Sequence, residues 1–194
     1  MDALQAIRSR RSIGRLVEPG PTGEQLTAIL EAAACAPDHG TLRPWRFFVL
    51  EGVGKDDFGL VLERAYLARC AETGREPEPA KQAKERTKLG RAPVVVVVAC
   101  AYQPSEKIPR LEQYGAVAAA VENASVATTA LGLSSMWRTG APVEDPRVKD
   151  ALGLSPDDEI VGFLYLGTAT DAAAKPPNDP ALDGVVSHWS APAS

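Results

Sequence analysis

Val94-Val95-Val96-Val97-Val98 is an uninterrupted run of β-branched residues. A strand with one face in water alternates apolar and polar positions, whereas one covered on both faces reads as a continuous apolar run. This run therefore predicts the centre of a sheet. Trp45 to Leu50, Ile160 to Leu166 and the short Ser134 to Arg138 read as further strands. Between them lie segments of helical period, and alternation of that kind by itself suggests a parallel, doubly wound sheet.

The helical segments carry their own punctuation. Asp2 to Arg10 is a short helix with Leu4 and Ile7 on one side, ending in the basic run Arg8-Ser9-Arg10-Arg11-Ser12. Thr22 with Gln25 three residues on is a capping-box pattern, followed by Leu26, Ile29, Leu30 and Ala33 at helical spacing until Pro37 stops the helix. Phe58, Val61, Leu62, Ala65 and Arg69 mark a third helix. Residues 72–91, polar and charged with Pro77 and Pro79, predict an exposed excursion with a helix at its end. From Pro109 to Leu133 runs the longest helical pattern. Its many alanines put small residues on several faces, which predicts burial on most sides, through the middle of the fold or against a second copy. Gly132 ends it, and Pro146 opens another helix at a favoured first position.

A chain of 194 residues, 45% of them hydrophobic, is sized for one core and one domain. Its formal net charge of -4 argues against a dedicated nucleic-acid binder, which needs an excess of Lys and Arg to neutralise phosphates. No apolar run approaches the roughly 20 residues that span a bilayer, so the expectation is a soluble, cytoplasmic protein with no membrane partner. Cys35, Cys70 and Cys100 are odd in number and widely spaced, against a disulfide framework or thiolate metal site. All three read as small buried hydrophobes. His39 and His188 are far apart, so zinc is not supported. Gly52-Val53-Gly54-Lys55-Asp56 lacks the features of a P-loop or a dinucleotide fingerprint, and Gly132-Leu133-Ser134-Ser135-Met136 lacks the closing glycine of a nucleophile elbow.

Three polar clusters remain: Arg10-Arg11-Ser12, Asp38-His39-Gly40 and Trp137-Arg138-Thr139-Gly140. Taken singly, the first is a basic helix terminus, the second a turn, and the third a buried Trp beside a surface Arg. The second belongs to a denser stretch, Ala36-Pro37-Asp38-His39 through Pro44-Trp45-Arg46-Phe47-Phe48, restrained at two prolines. Taken in order, with Met1-Asp2-Ala3-Leu4 ahead of the first and Val161-Gly162-Phe163-Leu164-Tyr165-Leu166-Gly167 behind the last, the motifs resemble the nitroreductase family, in its compact single-domain bacterial branch. The likeness covers residues 1–168; residues 169–194 form a tail rich in Ala, Pro, Asp and Ser that is expected to be either partly disordered or anchored by packing against another chain.

This resemblance implies an α+β, three-layer fold with a mostly antiparallel central sheet flanked by helices, in place of the parallel sheet. It implies an obligate homodimer with two FMN molecules at the subunit interface, the Ala-rich helix in the dimer core and the tail as an arm across the partner. Arg10, Arg11 and Ser12 are the expected phosphate contacts, since guanidinium and hydroxyl groups grip phosphate oxygens. By resemblance, Cys35 and His39 border the flavin, although Cys35 departs from the long basic residue a close relative carries there. Trp137, Arg138 and Thr139 lie where the family sets its backbone against the ring, and Ala127, Thr128, Thr129, Ala130, Leu131 and Gly132 correspond to a nicotinamide-nucleotide contact. The activity implied is ping-pong: NADH or NADPH delivers hydride to flavin N5 and leaves, then a nitroaromatic, quinone or related small planar acceptor receives it, with no protein nucleophile. Two alternatives share the cofactor. One is another FMN reaction on the same scaffold, such as enone reduction, dehydrogenation or reductive dehalogenation, decided by the lid residues between 66 and 91. The other is a non-catalytic flavin carrier.

Overall fold

The computed structural model describes residues 1–170, 176 and 180–190. Of the expected tail arm at 169–194, residues 171–175, 177–179 and 191–194 fall outside the described residues. Strand β2, Val94–Cys100, is buried at every position, as its valine run demands. It lies between β1, Trp45–Glu51, and β4, Glu159–Gly167, with β3, Ser134–Arg138, on the far edge, giving the order β1-β2-β4-β3. All three pairings are antiparallel. Helix alternation alone misleads here, because no strand is followed by a crossover to a parallel neighbour; the antiparallel expectation from resemblance is what the structure shows.

One face of the sheet packs Val95, Val97, Phe163 and Tyr165 against α3, Val53–Glu72, and α7, Pro146–Ala151. The other packs Val96, Val98, Val161 and Leu164 against α2, Gly23–Ala34, and α5, Arg110–Ala130. The result is three layers, with alternate side chains of each strand feeding opposite cores. Thr22 caps α2 in a full capping box, its hydroxyl accepting from Gln25 N while the Gln25 side chain accepts from Thr22 N. The excursion carries α4, Pro79–Thr87, which has no buried residue and lies on α3. A four-residue helix α6, Ala141–Glu144, follows β3.

Helix α1, Ala3–Ser9, presents only Ala6 to the interior and leaves Leu4 and Ile7 exposed. Within one chain, helix α5 buries one face, through Ala116, Val117, Ala120, Val121, Ala124 and Thr128. Among the described residues no helix is long and apolar enough to cross a membrane.

Candidate functional site

Beyond α1 the chain runs beside the edge strand: Ser12 bridges Ser135, and Ile13 N donates to Ser135 O at 3.1 Å. An edge strand leaves one row of backbone groups for such a neighbour. From the end of the same strand Arg138 reaches back, donating from Nη2 to Gly14 O at 2.9 Å. The fold thus brings the first and third clusters together, though more than 120 residues of sequence separate them.

Arg10 is half-buried and its Nε lies 3.3 Å from Glu122 Oε1 on α5. Arg11 folds back on its own helix end, donating from Nη1 to Arg8 O at 2.9 Å, and its Nε also meets Pro176 O. Arg138 sits over the Tyr165 ring at 5.6 Å. Among the described residues, two buried side-chain polar atoms have no hydrogen-bond partner: Arg11 Nη2 and Arg138 Nε. Unpaired buried donors are costly and uncommon, and both fall in this one corner. Trp137 is partly exposed, its Nε1 donating to Val161 O at 3.2 Å across Gly162. The expected buried Trp and surface Arg are therefore exchanged: Trp137 lies over the glycine step of β4, while Arg138 tucks beneath the edge. Thr139 is exposed at the turn that follows.

His39 stands elsewhere. His39 begins a 3-10 turn, and its Nδ1 lies 2.7 Å from Glu112 Oε2, in the first turn of α5. Arg10 meets the same helix ten residues later, at Glu122, about 15 Å further along its axis. Within one chain the second cluster thus stays apart from the other two. Cys35 corrects the expectation of three buried thiols: it is exposed at the C-cap of α2, while Cys70 and Cys100 are buried. It follows buried Ala33 by two residues, a rotation of about 200° around the helix, which turns it from core to solvent. Burial, with Glu159 and Asp158 nearby, pushes the Cys100 thiol up to about 12. In the native protein one thiol in three is therefore expected to react with a thiol reagent at pH 8, with the others released only by denaturant. Two fast-reacting thiols would place Cys70 or Cys100 nearer the surface.

Of the segment 127–132, Thr128 is buried with its hydroxyl donating to Ala124 O at 2.7 Å, and Thr129 donates to Ser125 O at 3.1 Å. Ala127 is half-buried, whereas Ala130, Leu131 and Gly132 are exposed just before β3. The carboxylates Glu112 and Glu122, which hold His39 and Arg10, escape sequence reading because they lie on a helix dominated by alanine. Their only signal is acidity on an otherwise small-residue surface.

The nitroreductase family model matches residues 7–168. The chain belongs to the nitroreductase family. Among its relatives, the Escherichia coli (strain K12) protein named "Putative NAD(P)H nitroreductase YdjA" is 44% identical over 168 residues, covering 87% of this chain and 88% of that one. The nitroreductase fold is equally plain in solved structures. A nitroreductase-like family protein from Bacillus cereus superposes with a TM-score of 0.80 at 21% identity, covering 98% of this chain and 97% of that one. A nitroreductase from Desulfovibrio desulfuricans, solved in complex with FMN, gives 0.73 at 22% identity, covering 99% of each.

Proposed function

We propose that this nitroreductase is an FMN-dependent NAD(P)H oxidoreductase that works as a homodimer and reduces a small planar acceptor. The observation that carries the proposal is the pair of orphaned donors, Arg11 Nη2 and Arg138 Nε. An anionic, acceptor-rich ligand at the junction of residues 10–14 and β3 gives both a partner, and FMN, with its phosphate and its ring carbonyls, has that chemistry. The NAD(P)H nitroreductase name of the Escherichia coli relative and the FMN complex of the Desulfovibrio protein support the choice.

Bound there, FMN supplies hydride transfer through N5 from NADH or NADPH to a nitroaromatic, quinone or related acceptor, in two separate encounters. The protein's part is to hold it. Arg10, Arg11 and Ser12 are assigned to the phosphate, where guanidinium groups make charge-assisted hydrogen bonds. Trp137, Arg138 and Thr139 are assigned to the ring side, with positive charge that favours an electron-rich flavin. Ala130, Leu131 and Gly132 are the exposed members of the segment assigned to the nicotinamide nucleotide.

Two features support the homodimer. His39, held at Glu112, lies about 15 Å along α5 from the Arg10–Glu122 pair of its own chain, so it serves a site completed by a second copy. Met1 ahead of α1, Leu4 and Ile7 on it, and Leu182, Val185, Val186 and Trp189 on the tail expose apolar surface that a partner subunit would cover.

The test is the visible spectrum of FMN-loaded protein under anaerobic conditions, before and after one equivalent of NADH or NADPH. Bleaching of the flavin band supports the oxidoreductase, a bound flavin that never bleaches points to a carrier, and no bound flavin sinks the proposal. Arg10→Ala is expected to weaken FMN retention by about 1.5–3 kcal/mol, the value of a hydrogen bond to a charged group. An unchanged FMN dissociation constant removes Arg10 from the site.

A further inference from the structure

Next to the Arg138–Thr139 turn lies a groove of about 450 Å³ between the residue 14–15 bend and the end of α4, and every charged side chain lining it is basic: Arg15, Lys84, Lys88 and Arg91. An adjoining cavity of about 180 Å³ shares Lys84, Lys88 and Arg91 and extends the lining to Arg138, with Glu85 as its one acid. Glu85 is already committed, since its Oε2 holds Lys88 Nζ. Among the described residues no hydrogen bond or ion pair engages the side-chain nitrogens of Arg15, Lys84 or Arg91, and Arg138 Nε is likewise without a hydrogen-bond partner. Like charges brought together without counter-charge repel, and a cleft lined by one sign concentrates ions of the other. The chain as a whole carries a formal charge of -4, so its net charge does not account for this basic concentration.

We propose that this groove is an oxyanion subsite that selects a second substrate carrying a carboxylate or phosphate, beside the cofactor position assigned above. The inference rests on that assignment for its role in the reaction, but not for its ability to bind an anion. Lys88, though paired with Glu85, also feels the basic surroundings: burial, only partly offset by Glu85 and reinforced by Arg69 and Arg91, holds its ammonium below the ordinary range. The oxyanion has two sources in this chemistry. It is either the 2′-phosphate that distinguishes NADPH from NADH, or a carboxylate on the planar acceptor.

Calorimetric titration of the FMN-loaded protein with two matched pairs tests this. NADP⁺ against NAD⁺ isolates the phosphate, and 4-nitrobenzoate against 4-nitrobenzyl alcohol isolates the carboxylate. The expected result is that in one pair the anion-bearing member binds about tenfold tighter, the scale of one charge-assisted hydrogen bond. That ratio falls towards one in Arg15→Gln and Lys84→Gln, and also in the unaltered protein as salt is raised. Equal affinities within both pairs overturn the proposal, as does a ratio that survives both substitutions or high salt. Loss of FMN in the variants with the ratio intact assigns the groove to the cofactor and overturns it too. A protein that takes up no FMN fails the oxidoreductase proposal instead, and the nucleotide pair on flavin-free protein then decides the groove by the same ratio.

Discussion

Asp145→Ala is expected to destabilise the fold by about 3–5 kcal/mol, the usual effect of removing one partner from a buried charge cluster. The Asp145 side chain is 0% exposed. It caps α7 by accepting from Arg147 N at 3.0 Å, accepts from Arg147 Nε at 2.8 Å and Nη2 at 3.2 Å, and also takes Arg69 Nη1 from α3. Arg147 continues to Glu72 at 2.6 Å, so one carboxylate ties the end of α3 to the chain leaving β3. Alanine leaves two guanidinium groups facing a void where their anion stood.

The same cluster sets an acid limb. Burial alone would raise the Asp145 carboxyl, yet the hydrogen bonds from Arg147 and Arg69 outweigh it and hold the group below its ordinary range. The folded state then binds this proton less readily than the unfolded chain, whose value is near 4. Stabilisation from Asp145 is complete above about pH 4 and is lost as pH falls through the depressed value. Urea midpoints measured from pH 7 to pH 3 should fall less steeply in Asp145→Ala than in the parent. A midpoint at pH 7 that matches the parent would show the cluster to be inert.

Gly162→Ala should release Trp137. A Cβ at position 162 would lie 2.6 Å from Trp137 Cδ1 and 2.9 Å from Arg138 O, distances that neither the ring nor the backbone can keep. Forcing a methyl into such a contact destabilises by about 1–3 kcal/mol. The indole must swing outward and give up its bond to Val161 O, carrying with it the strand end from which Arg138 reaches Gly14. Intrinsic tryptophan fluorescence should shift to the red, and FMN should dissociate more readily. Parental fluorescence with parental FMN affinity would show that β3 can slide without disturbing its turn.

Much of this architecture is written locally. The valine run, the Thr22–Gln25 capping box and Pro146 each act within one turn or one strand, so residue order alone carries them. Strand direction does not, because the helical segments between strands look the same whether a chain crosses over or turns back; the motif order supplied what periodicity could not. Side-chain exposure was least legible where two elements meet. The exchange of Trp137 and Arg138 depends on Gly162 of a different strand, and the outward turn of Cys35 on where α2 stops. His39 could be picked out as chemically notable, but Glu112, its partner 73 residues away, could not. Three of the four cations of the groove come from a charged excursion whose sequence says only that it is solvated.

Helix α4 joins that excursion to the body without burying a single side chain. Its ties to α3 are polar, Gln82 Nε2 to Glu63 Oε1 at 2.7 Å and Arg86 Nη1 to Glu63 Oε2 at 3.1 Å, with Gly59 leaving room for the Arg86 carbonyl. Selectivity and foldability are thereby placed in different parts of the molecule. The exposed positions of α4 can be rewritten, reversing Lys84 to an acid for instance, while both cores keep every contact. For directed evolution, this segment is where new acceptor preferences can be sought at little expense to the melting temperature.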